Sequence, residues 1–151
     1  MSSDTTHGSL FPKTSDHLRQ HVVACVGNDL ETLDALRHLL RDVPYRVMLT
    51  DRPYLALEWL ETHRLSLVLC DHHLRDMQGT HLLEEVQRRS PDTFRLILTS
   101  NPEARDLVDA LGKTVQGVIA KPWDGASLKR TILAILQCQE ERHHTSSPRR
   151  S

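Results

Sequence analysis

The sequence lacks the features expected of a membrane, secreted or nucleic-acid-binding protein. In its 151 residues, no apolar run approaches the roughly 18–20 residues of a membrane helix. Residues 1–9 contain no apolar stretch of the signal-peptide type. Nineteen Lys and Arg residues stand against twenty Asp and Glu, a formal net charge of −1, so direct binding of nucleic acid is not expected. These absences predict a cytoplasmic protein.

Cysteine is also scarce. The three cysteines are Cys25, Cys70 and Cys138, and two of them lie inside apolar runs. We interpret them as small buried hydrophobic residues rather than disulfide or metal partners. The length suits one domain with its own core. Polar composition predicts a flexible N-terminal arm over residues 1–20 and a flexible polar tail over residues 139–151, which leaves residues 21–138 as the folded domain.

Within that domain, apolar runs alternate with segments of helical periodicity. Residues 22–26 form a continuous apolar run, which is typical of a strand buried on both faces. Four further strands are predicted at residues 45–49, 65–70, 94–98 and 115–120. Leucines at helical spacing follow each run, and Pro102 is expected to open the fourth helix. Five strand–helix repeats predict an α/β fold of the doubly wound type, with a parallel sheet covered by helices on both faces.

Three of the predicted strands end in residues with reactive or charged side chains: Asp71, Thr99 and Lys121. Open parallel sheets bind ligands outside the carboxyl ends of their strands, where all three residues fall. Each residue alone is commonly a helix cap or a solvated side chain. A carboxylate, a hydroxyl and an ammonium at three strand ends together indicate a crevice that could hold a phosphoryl group.

These residues resemble the receiver domain of bacterial two-component response regulators, over about residues 21–137. The resemblance rests on the strand ending at Asp71, on Gly79 eight positions later, on Thr99 followed by serine and on Lys121 followed by proline. Residues 121–124 are similar to a subgroup often attached to cyclic-dinucleotide phosphodiesterases or transcriptional activators. The resemblance implies a (βα)5 flavodoxin-like fold with strand order 2-1-3-4-5.

The resemblance also implies roles for the three residues. Asp71 would accept a phosphoryl group from a sensor histidine kinase or a phosphotransfer protein, in a switch module rather than an enzyme. Lys121 would bind a phosphoryl oxygen, and Thr99 would donate a hydroxyl hydrogen bond that reports phosphorylation. The fourth helix, fifth strand and fifth helix would form a homodimer face.

A receiver normally binds Mg²⁺ through an adjacent acidic pair after its first strand. In the family a leucine lies five positions after the second acid, and aligning Leu33 with that leucine places the pair on Gly27 and Asn28, with Asp29 next to it. An alternative register pairs Asn28 with Asp29, but it puts Asp34 on the apolar face of the helix. In the favoured register the pair has lost both carboxylates, so a Mg²⁺ site would be weak, with Asn28 and Asp29 as degenerate ligands.

Other positions also depart from the family pattern. The remaining metal ligands would be Asp71 and the backbone carbonyl of His73. Leu74 and Arg75 replace the usual Met-Pro, and Arg75 is either a cation near the pocket or a solvated loop residue. The switch aromatic of the family is replaced by Val118.

These departures leave an alternative function, a pseudo-receiver used for dimerisation or partner docking without phosphate. Two other functional interpretations have less support in the sequence. A transition-metal site at His72 and His73 is disfavoured because adjacent side chains on an extended chain point in opposite directions. An aspartate-nucleophile phosphatase would carry an acid two residues after its nucleophile, where this chain has His73.

Overall fold

The computed structural model describes residues 17–149, and the side chains of residues 17–142. Five parallel strands form one sheet: β1 (Val22–Val26), β2 (Arg46–Thr50), β3 (Leu67–Asp71), β4 (Phe94–Thr99) and β5 (Gly117–Ala120). The helices that follow them are α1 (Leu30–Leu39), α2 (Pro53–Thr62), α3 (Gly79–Arg89), α4 (Arg105–Ala110) and α5 (Gly125–Arg149). The strand order β2-β1-β3-β4-β5 confirms the predicted doubly wound fold.

The sheet separates two apolar cores. Successive side chains of a strand point to opposite faces, so Ala24 belongs to the core under α2, α3 and α4, whereas Cys25 belongs to the core under α1 and α5. The strands β1 and β3 are buried along their whole length. Their continuous apolar sequences therefore reflect burial on both faces, as predicted.

The three cysteines differ in their burial. Cys25 and Cys70 are buried and unpaired, whereas Cys138 is exposed on α5. Burial raises the pKa of the Cys25 thiol to about 12, and it raises the pKa of Cys70 as well. Both buried thiols therefore stay protonated and act as small apolar side chains. The interpretation as a buried residue is wrong for Cys138.

The fourth helix begins later than the sequence indicates. Pro102 lies in a turn, and α4 starts only at Arg105, with Ala104 as an N-cap that provides no side-chain hydrogen bond. The helix has six residues and ends before Gly112, whose φ of +86° suits a glycine.

Most of the predicted N-terminal arm, residues 1–16, lies outside the described residues. Its last part does pack against the domain, because Leu18 is buried in the core under α1 and α5. At the other end, α5 continues past Cys138 into the predicted tail. Gln139 donates its side-chain N–H to the Ser66 carbonyl at 2.8 Å, and Glu140 lies 3.2 Å from His21 Nε2. These contacts attach the first residues beyond the predicted boundary.

Gly79 fixes the geometry at the carboxyl end of β3. Its backbone N–H donates to the His72 carbonyl at 2.6 Å, and an added Cβ would collide with the Asp71 carbonyl oxygen. Only glycine therefore allows α3 to begin this close to the end of β3. No helix in the described part of the chain is long and apolar enough to span a membrane.

Candidate functional site

Asp71 ends β3 with a carboxylate that is almost fully buried, at 1% exposure. Lys121 Nζ lies 2.5 Å from its Oδ1 atom, and the Asn28 backbone N–H donates to its Oδ2 atom at 2.6 Å. The loops after β1, β3 and β5 thus converge at one edge of the sheet, as a parallel arrangement requires. Both carboxylate oxygens have a positively polarised partner within the protein.

The Thr99 hydroxyl has hydrogen-bond partners outside this ion pair. Thr99 is 3% exposed, its Oγ1 atom lies 3.2 Å from His72 Nδ1, and it accepts a hydrogen bond from the Asn101 backbone N–H at 3.0 Å. Among the described residues, no hydrogen bond joins Thr99 to Asp71. The strand ends therefore bring Asp71 and Lys121 into contact, while Thr99 bonds the residue after the carboxylate.

His72 is the residue that sequence reasoning missed. It was considered only as a metal ligand, yet its ring is 4% exposed and its Nε2 atom lies 2.8 Å from Asp106 Oδ2. The hydrogen bond with His72 lowers the pKa of Asp106 below its ordinary value. Because Asp106 is 34 positions away, no local sequence pattern indicates this pair.

The residues around Asn28 do not build the acidic cluster that a receiver metal site requires. A Cβ atom added to Gly27 would come within 2.8 Å of Leu33 Cγ, so the buried Leu33 side chain fills the space of an acid there. Asp29 is the N-cap of α1, and its Oδ1 atom accepts from the Thr32 N–H at 2.7 Å. That hydrogen bond lowers the pKa of Asp29, but it turns the carboxylate toward the helix.

The other possible ligands also argue against a metal site built from carboxylates. Asn28 presents a backbone N–H to Asp71, and an N–H hydrogen repels a cation. No group of three or more His, Cys, Asp or Glu residues within the described ranges is arranged to hold a metal ion. The site therefore does not fit a divalent cation held by several carboxylates.

One expectation about the adjacent histidines is wrong. The rings of His72 and His73 do not point in opposite directions, because the chain bends after β3 and the two rings stack with centroids 4.2 Å apart. His73 lies outside the strand, and its Nδ1 atom is 2.8 Å from the Gln78 side-chain oxygen. Arg75 Nη2 lies 3.3 Å from Asp51 Oδ2 and is largely exposed, so it forms a surface ion pair.

Val118 stands where the resemblance places the family's switch aromatic. It lies in β5 and is half-buried, packed against the core under α2, α3 and α4. A valine has no hydroxyl or ring edge with which to follow movement of Thr99.

The response regulator receiver domain model matches residues 23–133. The chain belongs to the response regulator receiver family. Receivers are signalling modules of two-component systems. This receiver carries the family's fold, and Gly27 and Asn28 stand where the resemblance places the acidic pair.

The curated relatives of this receiver include a transcriptional regulatory protein. It is 31% identical over 110 residues to the transcriptional regulatory protein ZraR of Klebsiella oxytoca, a match that covers 73% of this chain and 25% of that protein. The chain thus spans about a quarter of the curated relatives it matches.

Solved structures show the same fold. The signal receiver domain of an HD domain-containing protein from Pseudomonas fluorescens Pf-5 superposes with a TM-score of 0.77 at 26% identity, covering 83% of this chain and 93% of that chain. The receiver domain of sensor histidine kinase PA1611 from Pseudomonas aeruginosa PAO1, which holds magnesium in its active-site cleft, gives a TM-score of 0.68 at 21% identity, covering 78% and 98%.

Proposed function

We propose that this receiver accepts a phosphoryl group on Asp71 from a histidine kinase or phosphotransfer protein, and that phosphorylation changes its contacts with other proteins. The proposal is carried by the Asp71–Lys121 pair, in which a buried carboxylate lies 2.5 Å from an ammonium. In the transfer, a carboxylate oxygen forms the new O–P bond while the N–P bond of the phosphohistidine breaks. The imidazole nitrogen of the donor keeps the electron pair of that bond.

Lys121 supplies the positive charge for this step. Its side chain is 28% exposed, so it can move from the carboxylate to an oxygen of the incoming phosphoryl group and stabilise its charge. The Asn28 backbone N–H stays hydrogen-bonded to the second carboxylate oxygen. Because no acidic metal cluster forms among the described residues of the pocket, we expect transfer to depend only weakly on Mg²⁺ and to be slow.

Intact-mass measurement after incubation with acetyl phosphate, with and without Mg²⁺, tests the proposal. We expect one phosphoryl adduct that is absent from the Asp71→Asn variant. Asp76→Asn is the matched control, because Asp76 is an exposed carboxylate in the loop after β3, and this variant should label like the wild type. Absence of an adduct under both conditions would refute phosphorylation at Asp71.

A phosphate-independent docking role is the second candidate, and three observations favour it. Both Asp71 oxygens already have partners, Leu33 fills the space beside Gly27, and Thr99 bonds His72. In this case the chain would act through its surface alone, and the labelling experiment would give no adduct on a folded, partner-binding protein.

Homodimerisation through α4, β5 and α5 is compatible with both candidate functions. Val108 and Leu111 are 56% and 50% exposed at α4, an apolar pair that self-association would cover. We expect Val108→Glu to shift sedimentation toward monomer. Leu30→Glu is the matched control, since Leu30 is 73% exposed but lies on α1. Equal sedimentation of the wild type and Val108→Glu would exclude this face.

A further inference from the structure

A buried imidazole connects the hydroxyl at the end of β4 with α4. His72 and Thr99 are 4% and 3% exposed, and the ring bonds Thr99 through Nδ1 at 3.2 Å and Asp106 through Nε2 at 2.8 Å. Asp106 lies in the first turn of α4. The three side chains form a continuous path from the phosphoryl pocket to a helix surface.

The partners of the His72 ring allow its hydrogens to be assigned. Asp106 has a lowered pKa because it is hydrogen-bonded to His72, so its carboxylate is an acceptor and His72 Nε2 carries the hydrogen. We assign the Thr99 hydroxyl as the donor to the lone pair of His72 Nδ1. The Asn101 N–H donates to the same oxygen. The single hydroxyl hydrogen of Thr99 is therefore directed to His72 and not to Asp71.

We propose that His72 is a positioning residue that holds the Thr99 hydroxyl away from Asp71 and transmits its movement to α4 through Asp106. This inference rests on the proposed function, since the competing acceptor is a phosphoryl oxygen on Asp71. When that oxygen takes the Thr99 hydrogen, the Thr99–His72 bond breaks and the His72–Asp106 bond loses its fixed geometry. The change reaches the surface of α4, where Val108 is exposed.

Two features make this path a switch rather than a packing detail. The Thr99 hydroxyl has one hydrogen, so bonding to His72 and bonding to a phosphoryl group exclude each other. The half-buried Val118 cannot report Thr99 movement, whereas the His72 ring is already in contact with both the hydroxyl and α4. The imidazole therefore performs the reporting function that Val118 cannot.

The path is testable in the unphosphorylated full chain by hydrogen–deuterium exchange over residues 102–112. Thr99→Val should speed exchange in this segment about fivefold, the effect of losing one hydrogen bond of ordinary net strength. In a His72→Phe background, which fills the same space without hydrogen bonds, Thr99→Val should add nothing. An unchanged segment in Thr99→Val, or fully additive effects of the two substitutions, would overturn the proposal.

Variants of Asp106 separate coupling from simple packing. Asp106→Ala should abolish the response of α4 to Thr99→Val, whereas Asp106→Asn should retain it, because an amide oxygen can still accept from His72 Nε2–H. Asp109→Ala, at an exposed carboxylate of the same helix, is the control and should leave the response intact. Side-chain nitrogen NMR should show the Nε2–H tautomer of His72 in the wild type, and the opposite tautomer would contradict the assigned hydrogens.

A second experiment tests whether the path affects phosphorylation of Asp71. His72→Phe frees the Thr99 hydroxyl and should raise labelling by acetyl phosphate several-fold. Coupling in the unphosphorylated protein without any adduct in the wild type would leave the path intact and refute only the proposed function. An adduct in the wild type, together with unchanged labelling in His72→Phe and fully additive effects of Thr99→Val and His72→Phe on exchange, would refute the path alone.

Discussion

The Asp71–Lys121 pair predicts that removing its two members has unequal effects on stability. In Lys121→Met, the buried carboxylate loses its cation and keeps only the Asn28 N–H. Breaking a buried pair by removing one partner costs about 3–5 kcal/mol. The lysine is 28% exposed, so partial hydration reduces this, and we expect Lys121→Met to lower the free energy of unfolding by about 2–3 kcal/mol.

Asp71→Asn should behave differently. The asparagine oxygen can still accept from the Asn28 N–H, and Lys121 can turn its ammonium toward solvent. We expect the free energy of unfolding to change by less than about 1 kcal/mol. The double variant should recover most of the loss seen in Lys121→Met, with a coupling energy of about 2 kcal/mol.

Urea unfolding at neutral pH measures these quantities. Far-UV circular dichroism follows the helices, and fluorescence of the two tryptophans tests for two-state behaviour. With a slope of about 1–3 kcal/mol per molar urea, Lys121→Met should shift the midpoint by about 0.7–3 M. Equal and additive losses in the two single variants would show that the contact does not couple the residues energetically.

Three further predictions concern Gly27, the acid pair and His21. Gly27→Asp should destabilise the protein by about 1–3 kcal/mol, because the new side chain overlaps Leu33. Acids at both Gly27 and Asn28, combined with Leu33→Ala, should raise Mg²⁺ affinity in calorimetry, and no gain would contradict our assignment of the acid pair. Burial lowers the pKa of His21 below 6.5, against the opposing effect of Glu140. A depressed histidine pKa gives stability that is present above the unfolded value and is lost as the pH falls. The wild type should therefore lose more stability than His21→Gln between about pH 7.5 and pH 5, as measured by urea midpoints, and parallel losses would refute this role.

Much of the fold is readable from the sequence because it depends on patterns within single segments. Runs such as residues 22–26 are apolar at every position, which only a strand buried on both faces requires, and that strand has the predicted bounds. The start of α4 was predicted less well. Pro102 suits the first turn of a helix, but the structure uses it in a turn and begins α4 at Arg105.

The candidate site was predicted in outline. The contact between Asp71 and Lys121 follows from strand ends that meet at one edge of the sheet. The side-chain direction after β3 was not predictable, because the chain bends there and stacks His72 on His73. The roles assigned to Asp71, Thr99 and Lys121 in phosphoryl transfer remain predictions until an adduct is measured.

The sequence by itself determined a receiver fold and predicted the strand-end residues of its candidate pocket, because hydrophobic periodicity and motif spacing are local properties. Only the tertiary structure decided which side chains contact one another in and around the pocket. Leu33 fills the space beside Gly27, Asp29 caps a helix, and His72 bonds Thr99 and Asp106 from elements far apart in the chain. Such contacts depend on side-chain directions after the strands have paired, and no spacing along the chain encodes them.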